Sequence, residues 1–267
     1  MKNILVLIHD DAGQEARLQA ALDLTRALDG HLRCVDVTPL PVPADDLVFA
    51  GGTVALLADA QACEADNRRR TEARLVAQDI SYDWIDITST LDSALRDASA
   101  MADVIVLNPR IDENLGLPMR GLVRDVIVQT GKPVLAVPPA CRELALYGHA
   151  LIAWDGSAGA EAALRCAVPL LIHATQVTLV EIGDHQEGVP AQEAAVYLHR
   201  HGIRTTVLPL PTQRERVTET LLAEIDALRA DYLVMGGFGG NRLVEAMFGG
   251  VTRDMLADSP VPLFLAH

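Results

Sequence analysis

The sequence predicts an α/β protein of two tandem doubly wound domains, each a five-stranded parallel sheet flanked by helices. Three observations predict it. Short apolar, β-rich runs alternate with stretches whose apolar residues recur at i, i+3 and i+4, the pattern of βαβ units. The chain also repeats itself: a displacement of 146 lays Gly13-x-Glu15-Ala16-x-Leu18-x-x-Ala21 on Gly159-x-Glu161-Ala162-x-Leu164-x-x-Ala167, and one of 128 lays Ala102–Leu107 on Ala230–Met235. A displacement of 129 matches Arg124-Asp125 to Arg253-Asp254 and Pro133 to Pro262, so the order of matches is kept. Finally, 267 residues are enough for about two domains at roughly 150 residues each.

In chain order, the first copy has predicted strands at Asn3–Ile8, Leu32–Val37, Asp83–Ile87, Asp103–Leu107 and Pro133–Val137. The second has them at Ala150–Trp154, Gln176–Ile182, Arg204–Leu208, Asp231–Met235 and Pro262–Ala266. Amphipathic helices are predicted over Gln14–Leu28, Gly52–Gln78, Leu91–Met101, Ala160–Val168, Ala191–His201 and Arg216–Arg229, with a last helix opening near Gly250. The turn-prone, polar stretch Pro138–Glu143 separates the copies, giving domains 1–140 and 146–267.

Composition narrows the partners. Half the residues are hydrophobic and 22% are charged, which excludes a disordered or collagenous chain. A net charge of −14, with both copies acidic, argues against a nucleic-acid or anionic-membrane surface, because phosphate backbones are held by Lys/Arg stripes. No apolar run approaches the roughly 18 residues of a membrane span, and Met1–Ile4 leads straight into a strand, so a cytoplasmic location is expected. Cys34, Cys63, Cys141 and Cys166 form no CxxC pair and read as small buried hydrophobes. His199 and His201 share no ligand-like spacing with a cysteine or carboxylate, so no metal ligand is assigned. The run Arg68–Arg70 reads as a solvated helix face with i,i+4 pairs.

Open doubly wound sheets bind ligands beyond the carboxyl ends of their strands, where the strand order reverses. After Met235 in the second copy come Gly236, Gly237, Gly239, Gly240 and Asn241, then Gly249, Gly250 and Val251 at the start of the last helix. Glycine allows positive φ and close approach of backbone to a ligand, and a helix start presents free N–H groups to an anion. The loop reads either as a phosphate cradle or as a flexible turn; neither the dinucleotide nor the P-loop spacing fits it. Asp155, at the end of the strand carrying Ala153, either accepts hydrogen bonds from a base or ribose, or caps the next helix, a role open to Ser157 as well.

On these residues each copy resembles a universal stress protein domain, and the pair resembles the tandem form, with an adenine-nucleotide α-hydrolase-like fold. Gly236-x2-Gly239-x9-Gly249 matches the glycine spacing of the family's nucleotide motif, and Asp155 matches its Asp at the end of the first strand. The resemblance implies that Asp155 and the backbone near Ile182 hold adenine. It places Gly236 and Gly239 by ribose and phosphate, with Asn241, Gly249, Gly250 and Val251 along the phosphates. The implied ligand is ATP, ADP or AMP, with Mg²⁺ carried on the phosphates. Ala153, Met235 and Gly240 complete the expected lining. The implied role is a stress-related, nucleotide-responsive binding protein.

Two departures qualify this reading. Gly250 stands where the motif has Ser or Thr, which removes a hydroxyl contact worth about 0.5–1.5 kcal/mol. Thr252 replaces it only if the helix starts late. In the first copy Asn108 and Ile111 stand in place of Gly236 and Gly239, His9 stands in place of Asp155, and Asp112-Glu113 would repel phosphate. No nucleotide is expected there. The copies are expected to pair into an intramolecular pseudo-dimer, with further homodimerisation left open. Lys2 and Lys132 are the only lysines and Ser157 has no partner His, so no catalytic residue is assigned and at most slow hydrolysis is expected. A weak ATPase or nucleotidyl transferase, a nucleotide-free scaffold, and a different small ligand under Pro39–Pro43 stay open as alternatives.

Overall fold

The computed structural model describes residues 1–39, 52–109, 121–183, 188–211, 217–238 and 250–267. In chain order the elements of the first half are β1 (Asn3–Ile8), α1 (Gln14–Ala27), β2 (His31–Pro39), α2 (Gly52–Ala77), β3 (Tyr82–Ser89), α3 (Leu91–Ala98), β4 (Val104–Leu107), α4 (Leu122–Thr130) and β5 (Val134–Ala136). The second half follows with β6 (His149–Trp154), α5 (Ala158–Leu171), β7 (Gln176–Ile182), α6 (Ala191–Arg200), β8 (Thr205–Leu210), α7 (Val217–Leu228), β9 (Tyr232–Gly236), α8 (Gly250–Asp258) and β10 (Leu263–Ala266).

The strands form one sheet in the order β3-β2-β1-β4-β5-β10-β9-β6-β7-β8. Every neighbouring pair is parallel except β5 with β10, where Leu263 faces Ala136 and Leu265 faces Val134. Two five-stranded parallel arrays are thus joined edge to edge, and the two halves form a pseudo-dimer through their last strands. Strand order reverses at β1/β4 and at β6/β9.

Helices on both faces explain why the central strands are continuously apolar rather than alternating. β1 from Ile4 to Ile8, and all of β4, β5 and β10, are buried, whereas the edge strands β3 and β8 are half exposed. Pro209 lies on edge strand β8, where a missing N–H breaks no ladder. One core layer gathers Ile4, Val6, Leu135, Phe264 and the inner faces of α1 and α5. The other gathers Leu5, Leu7, Leu233, Leu265 and the inner faces of α3, α4 and α7. The repeat is visible at the strand starts as well. Asp103 accepts the backbone N–H of Asn3 at 2.9 Å, and Asp231 accepts that of His149 at 2.7 Å.

Three elements differ from the sequence reading. α4 was not expected: Val123, Val126, Ile127 and Val128 make it look strand-like, but burial of Leu122, Val123, Val126 and Ile127 outweighs that propensity, and Gly131 in the left-handed region ends it. α5 runs past Pro169 to Leu171, because Leu170 and Leu171 are fully buried and hold the last turn despite the lost N–H. α3 stops at Ala98, leaving Met101 78% exposed. No helix among the described residues is long and apolar enough to cross a membrane. Cys34 is buried, and Cys141 and Cys166 are only half-buried, so the expectation of buried thiols fails for these two.

Candidate functional site

At the carboxyl ends of β6, β7 and β9, the second half brings together several of the sequence-predicted residues. Ala153 is half-buried and Ile182 and Met235 are buried, all three in the second core layer. Asp155 is exposed at the end of β6. Its Oδ1 accepts the N–H of Ser157 at 3.0 Å, while Ser157 itself caps α5 by accepting the N–H of Ala160 at 3.2 Å. The capping alternative for Asp155 is therefore taken by Ser157, and the carboxylate stands exposed at the carboxyl end of β6.

Gly236 closes β9, and its glycine has a packing cause. A Cβ there would lie 2.7 Å from Ala160 N and 2.7 Å from the carbonyl carbon of Gly159, so the first turn of α5 sits directly on this backbone. The next amide, Gly237, donates to Ala266 O at 2.8 Å, so it is engaged within the fold rather than offered to an anion. α8 begins at Gly250, with Val251 half-buried on the second core layer. The first-turn N–H groups of such a helix have no acceptor within it, and with α5 two positive helix ends open toward the same edge of the sheet. Thr252 is buried in the first turn of α8. Gly239, Gly240, Asn241 and Gly249 lie outside the described residues.

Sequence reasoning missed a strap over this edge. Gly156 and Gly188 both have positive φ, Val189 N donates to Gly156 O at 3.1 Å, and the Trp154 indole N–H donates to Val189 O at 2.9 Å. Gly188 and Val189 are thereby clamped onto the turn that carries Asp155. The only advance signal was a pair of glycines without a helix or strand pattern around them.

The first half fills the equivalent corner with its own side chains. Arg17 is fully buried on α1, at the position of Ala163 in the repeat. Its guanidinium donates to Leu7 O at 2.6 Å, to His9 O at 3.2 Å, to Asp11 at 3.1 Å and to the Asn108 side-chain oxygen. Burial pulls the Arg17 pKa below its ordinary value, with Asp11 opposing that shift. Asn108, in the place of Gly236, donates to Val137 O at 2.7 Å and lies where a Cβ on Gly13 would be. His9, in the place of Asp155, is buried with Nδ1 2.7 Å from Glu64 Oε1. Ile111 and Asp112-Glu113 fall outside the described residues. A lone arginine on the otherwise apolar face Ala16–Leu24 was the signal available beforehand.

The other candidates resolve as surface chemistry. Arg68 pairs with Glu72 but also reaches Asp86 and stacks on Trp84 of β3, and Arg70 reaches Asp10, so this run makes tertiary contacts as well as i,i+4 pairs. Among the described residues no group of three His, Cys, Asp or Glu is placed to hold a metal. A cavity of about 40 Å³ beside Asn3, His31 and Arg33 lies at the opposite, amino end of the sheet. That is room for about one water, not for a nucleotide.

No family model and no curated protein matches this chain. Among solved structures, a universal stress protein from Archaeoglobus fulgidus DSM 4304 covers 99% of the chain over 95% of its own, at 16% identity and a TM-score of 0.73. The cytoplasmic domain of a prokaryotic cation chloride cotransporter covers 99% over 95% of its own, at 12% identity and a TM-score of 0.50. A universal stress protein in complex with cAMP matches 46% of the chain over 99% of its own, at 17% identity and a TM-score of 0.37.

Proposed function

We propose that this chain, which has the tandem fold of universal stress proteins, is a universal-stress-type protein that binds one adenine nucleotide at the carboxyl edge of its second half and responds to its occupancy. The observation that carries the reading is the contrast between the halves. Asp155 is exposed at the strand-order reversal, whereas the corresponding corner of the first half is packed with Arg17, Asn108 and His9. A carboxylate at that strand end can accept from an adenine amine or ribose hydroxyls, and the start of α8 can receive phosphate oxygens. Magnesium would enter on the phosphates, since the described residues offer no protein cage for it.

Binding is favoured over phosphoryl transfer because that chemistry needs charge neutralisation around the phosphates. The chain has two lysines, Lys2 and Lys132, both in the first half. The nucleotide is ATP, ADP or AMP, and its role is to change conformation or partner choice.

The helix start offers a gain-of-function test. Among the described residues, the nearest atom outside the helix backbone to an ideal Cβ on Gly250 is Asp254 Oδ2 at 3.5 Å, ordinary contact distance. Gly250→Ser therefore fits, and restores a hydroxyl worth one net hydrogen bond. Isothermal calorimetry with ATP is expected to show roughly two- to ten-fold tighter binding, the equivalent of about 0.5–1.5 kcal/mol. Unchanged or weaker binding in this variant would argue against phosphate at the start of α8.

A further inference from the structure

We propose that Asp36, Glu64 and His9 form a proton-dependent latch that holds α2 on the sheet of the first half and loosens it as pH rises. This inference concerns the first half and is independent of nucleotide binding in the second.

The cluster lies at the carboxyl ends of β1 and β2, under α2. Asp36 is on β2, facing Ile8 on one side and Asp86 of β3 on the other in the strand register. It is 4% exposed, Glu64 on α2 is 6% exposed and His9 after β1 is 6% exposed. The charge of Glu64 bears on the Asp36 carboxyl, and the His9 ring nitrogen Nδ1 stands 2.7 Å from Glu64 Oε1. Asp36 Oδ1 and both His9 ring nitrogens are buried with no hydrogen-bond partner among the described residues, so the approach of Nδ1 to Glu64 is a charge contact and not a hydrogen bond. Two carboxyls buried in one cluster can share one proton, whereas two negative charges there would repel.

The surroundings relieve that repulsion only in part. From α1, the Arg17 guanidinium is ion-paired with Asp11 and also acts on Glu64 from a distance. From α2, Arg68 turns outward to Glu72, Asp86 and the face of Trp84. Asp86 on β3 adds a further negative charge, and Asn67 offers Glu64 a long 3.5 Å contact. His9 is the one cationic candidate that touches the pair among the described residues. Burial first, then Glu64 and Asp86, push the Asp36 carboxyl up to about 7.

The sign follows from linkage. With α2 lifted and Asp36 in water, the carboxyl titrates near its ordinary value of about 4. Between about pH 4 and pH 7 only the open form loses its proton, so opening becomes easier by up to ten-fold per pH unit, and above pH 7 the effect levels off. Acidification from neutrality therefore tightens α2.

Hydrogen–deuterium exchange on the intact chain tests this, with rates corrected for the intrinsic pH dependence of amide exchange. Peptides from the half of α2 between Glu64 and Ala77 are expected to gain protection approaching ten-fold per unit as pH falls from 7 to 5, while peptides of α6 stay level. Asp36→Asn should abolish the slope, and Glu64→Gln should reduce it. A level profile for α2 in the wild type, or an undiminished slope in Asp36→Asn, overturns the proposal. If neither variant folds, carboxyl-carbon NMR on the wild type decides. A carboxyl titrating near neutrality supports the latch, and titration of every carboxyl below pH 5 overturns it.

Discussion

Replacing Arg17 with methionine is expected to cost about 3–5 kcal/mol, the usual penalty for removing one partner of a buried ion pair. The physical reason is what stays behind. Asp11, with a side chain only 3% exposed, loses its counter-charge. The Asn108 oxygen and the carbonyls of Leu7 and His9 lose a shared donor in a corner from which water is excluded. Methionine fills much of the volume but satisfies none of them. Urea denaturation followed by circular dichroism measures the loss. Since the network binds β1, α1 and β4 together, the first half should lose structure at a lower urea concentration than the second. A penalty below about 1 kcal/mol would mean that Arg17 is not the organiser of this corner.

Gly236→Ala is expected to destabilise the second half by at least the 1–3 kcal/mol typical of overpacking. The added methyl would meet Ala160 N and Gly159 C, both at 2.7 Å, and these are backbone atoms of α5 that no rotamer change can move aside. The same move displaces α5, whose first residues adjoin Asp155. A loss of ligand binding in this variant would therefore follow from a shifted helix and would not prove that Gly236 touches ligand. Thermal unfolding without any nucleotide separates the two explanations. A melting temperature equal to that of the wild type would contradict the packing account of Gly236.

The fold was legible because burial on both faces of a sheet writes itself into the sequence as uninterrupted apolar runs, and each of the ten predicted strands overlaps an observed one. The internal repeat gave the tandem plan, and the antiparallel join of β5 to β10 makes one sheet of the two arrays. What escaped the sequence was decided by tertiary contact. α4 is helical because its apolar residues find a core, not because valine and isoleucine prefer helices. Pro169 fails to end α5 because the next two residues are buried.

At the candidate site, position was easier to read than cause. Asp155 stands at a strand end beside a strand-order reversal, as expected. Gly236, placed by the resemblance beside ribose and phosphate, has a packing reason to be glycine as well, since helix α5 presses on it. The amide of Gly237, part of the loop read either as a phosphate cradle or as a flexible turn, is bonded to Ala266 O. Such local satisfaction depends on which backbone passes nearby, and no single-chain pattern encodes it. The first-half replacements at His9 and Asn108 were visible as departures, but the buried Arg17 that makes them a unit was not.

The most direct test of the account is native mass spectrometry of the protein titrated with ATP, ADP and AMP, paired with the same titration of Asp155→Ala. The account predicts one nucleotide per chain in the wild type and its loss in the variant while the fold is retained. Two equivalent nucleotides per chain, or binding that ignores Asp155→Ala, would contradict it.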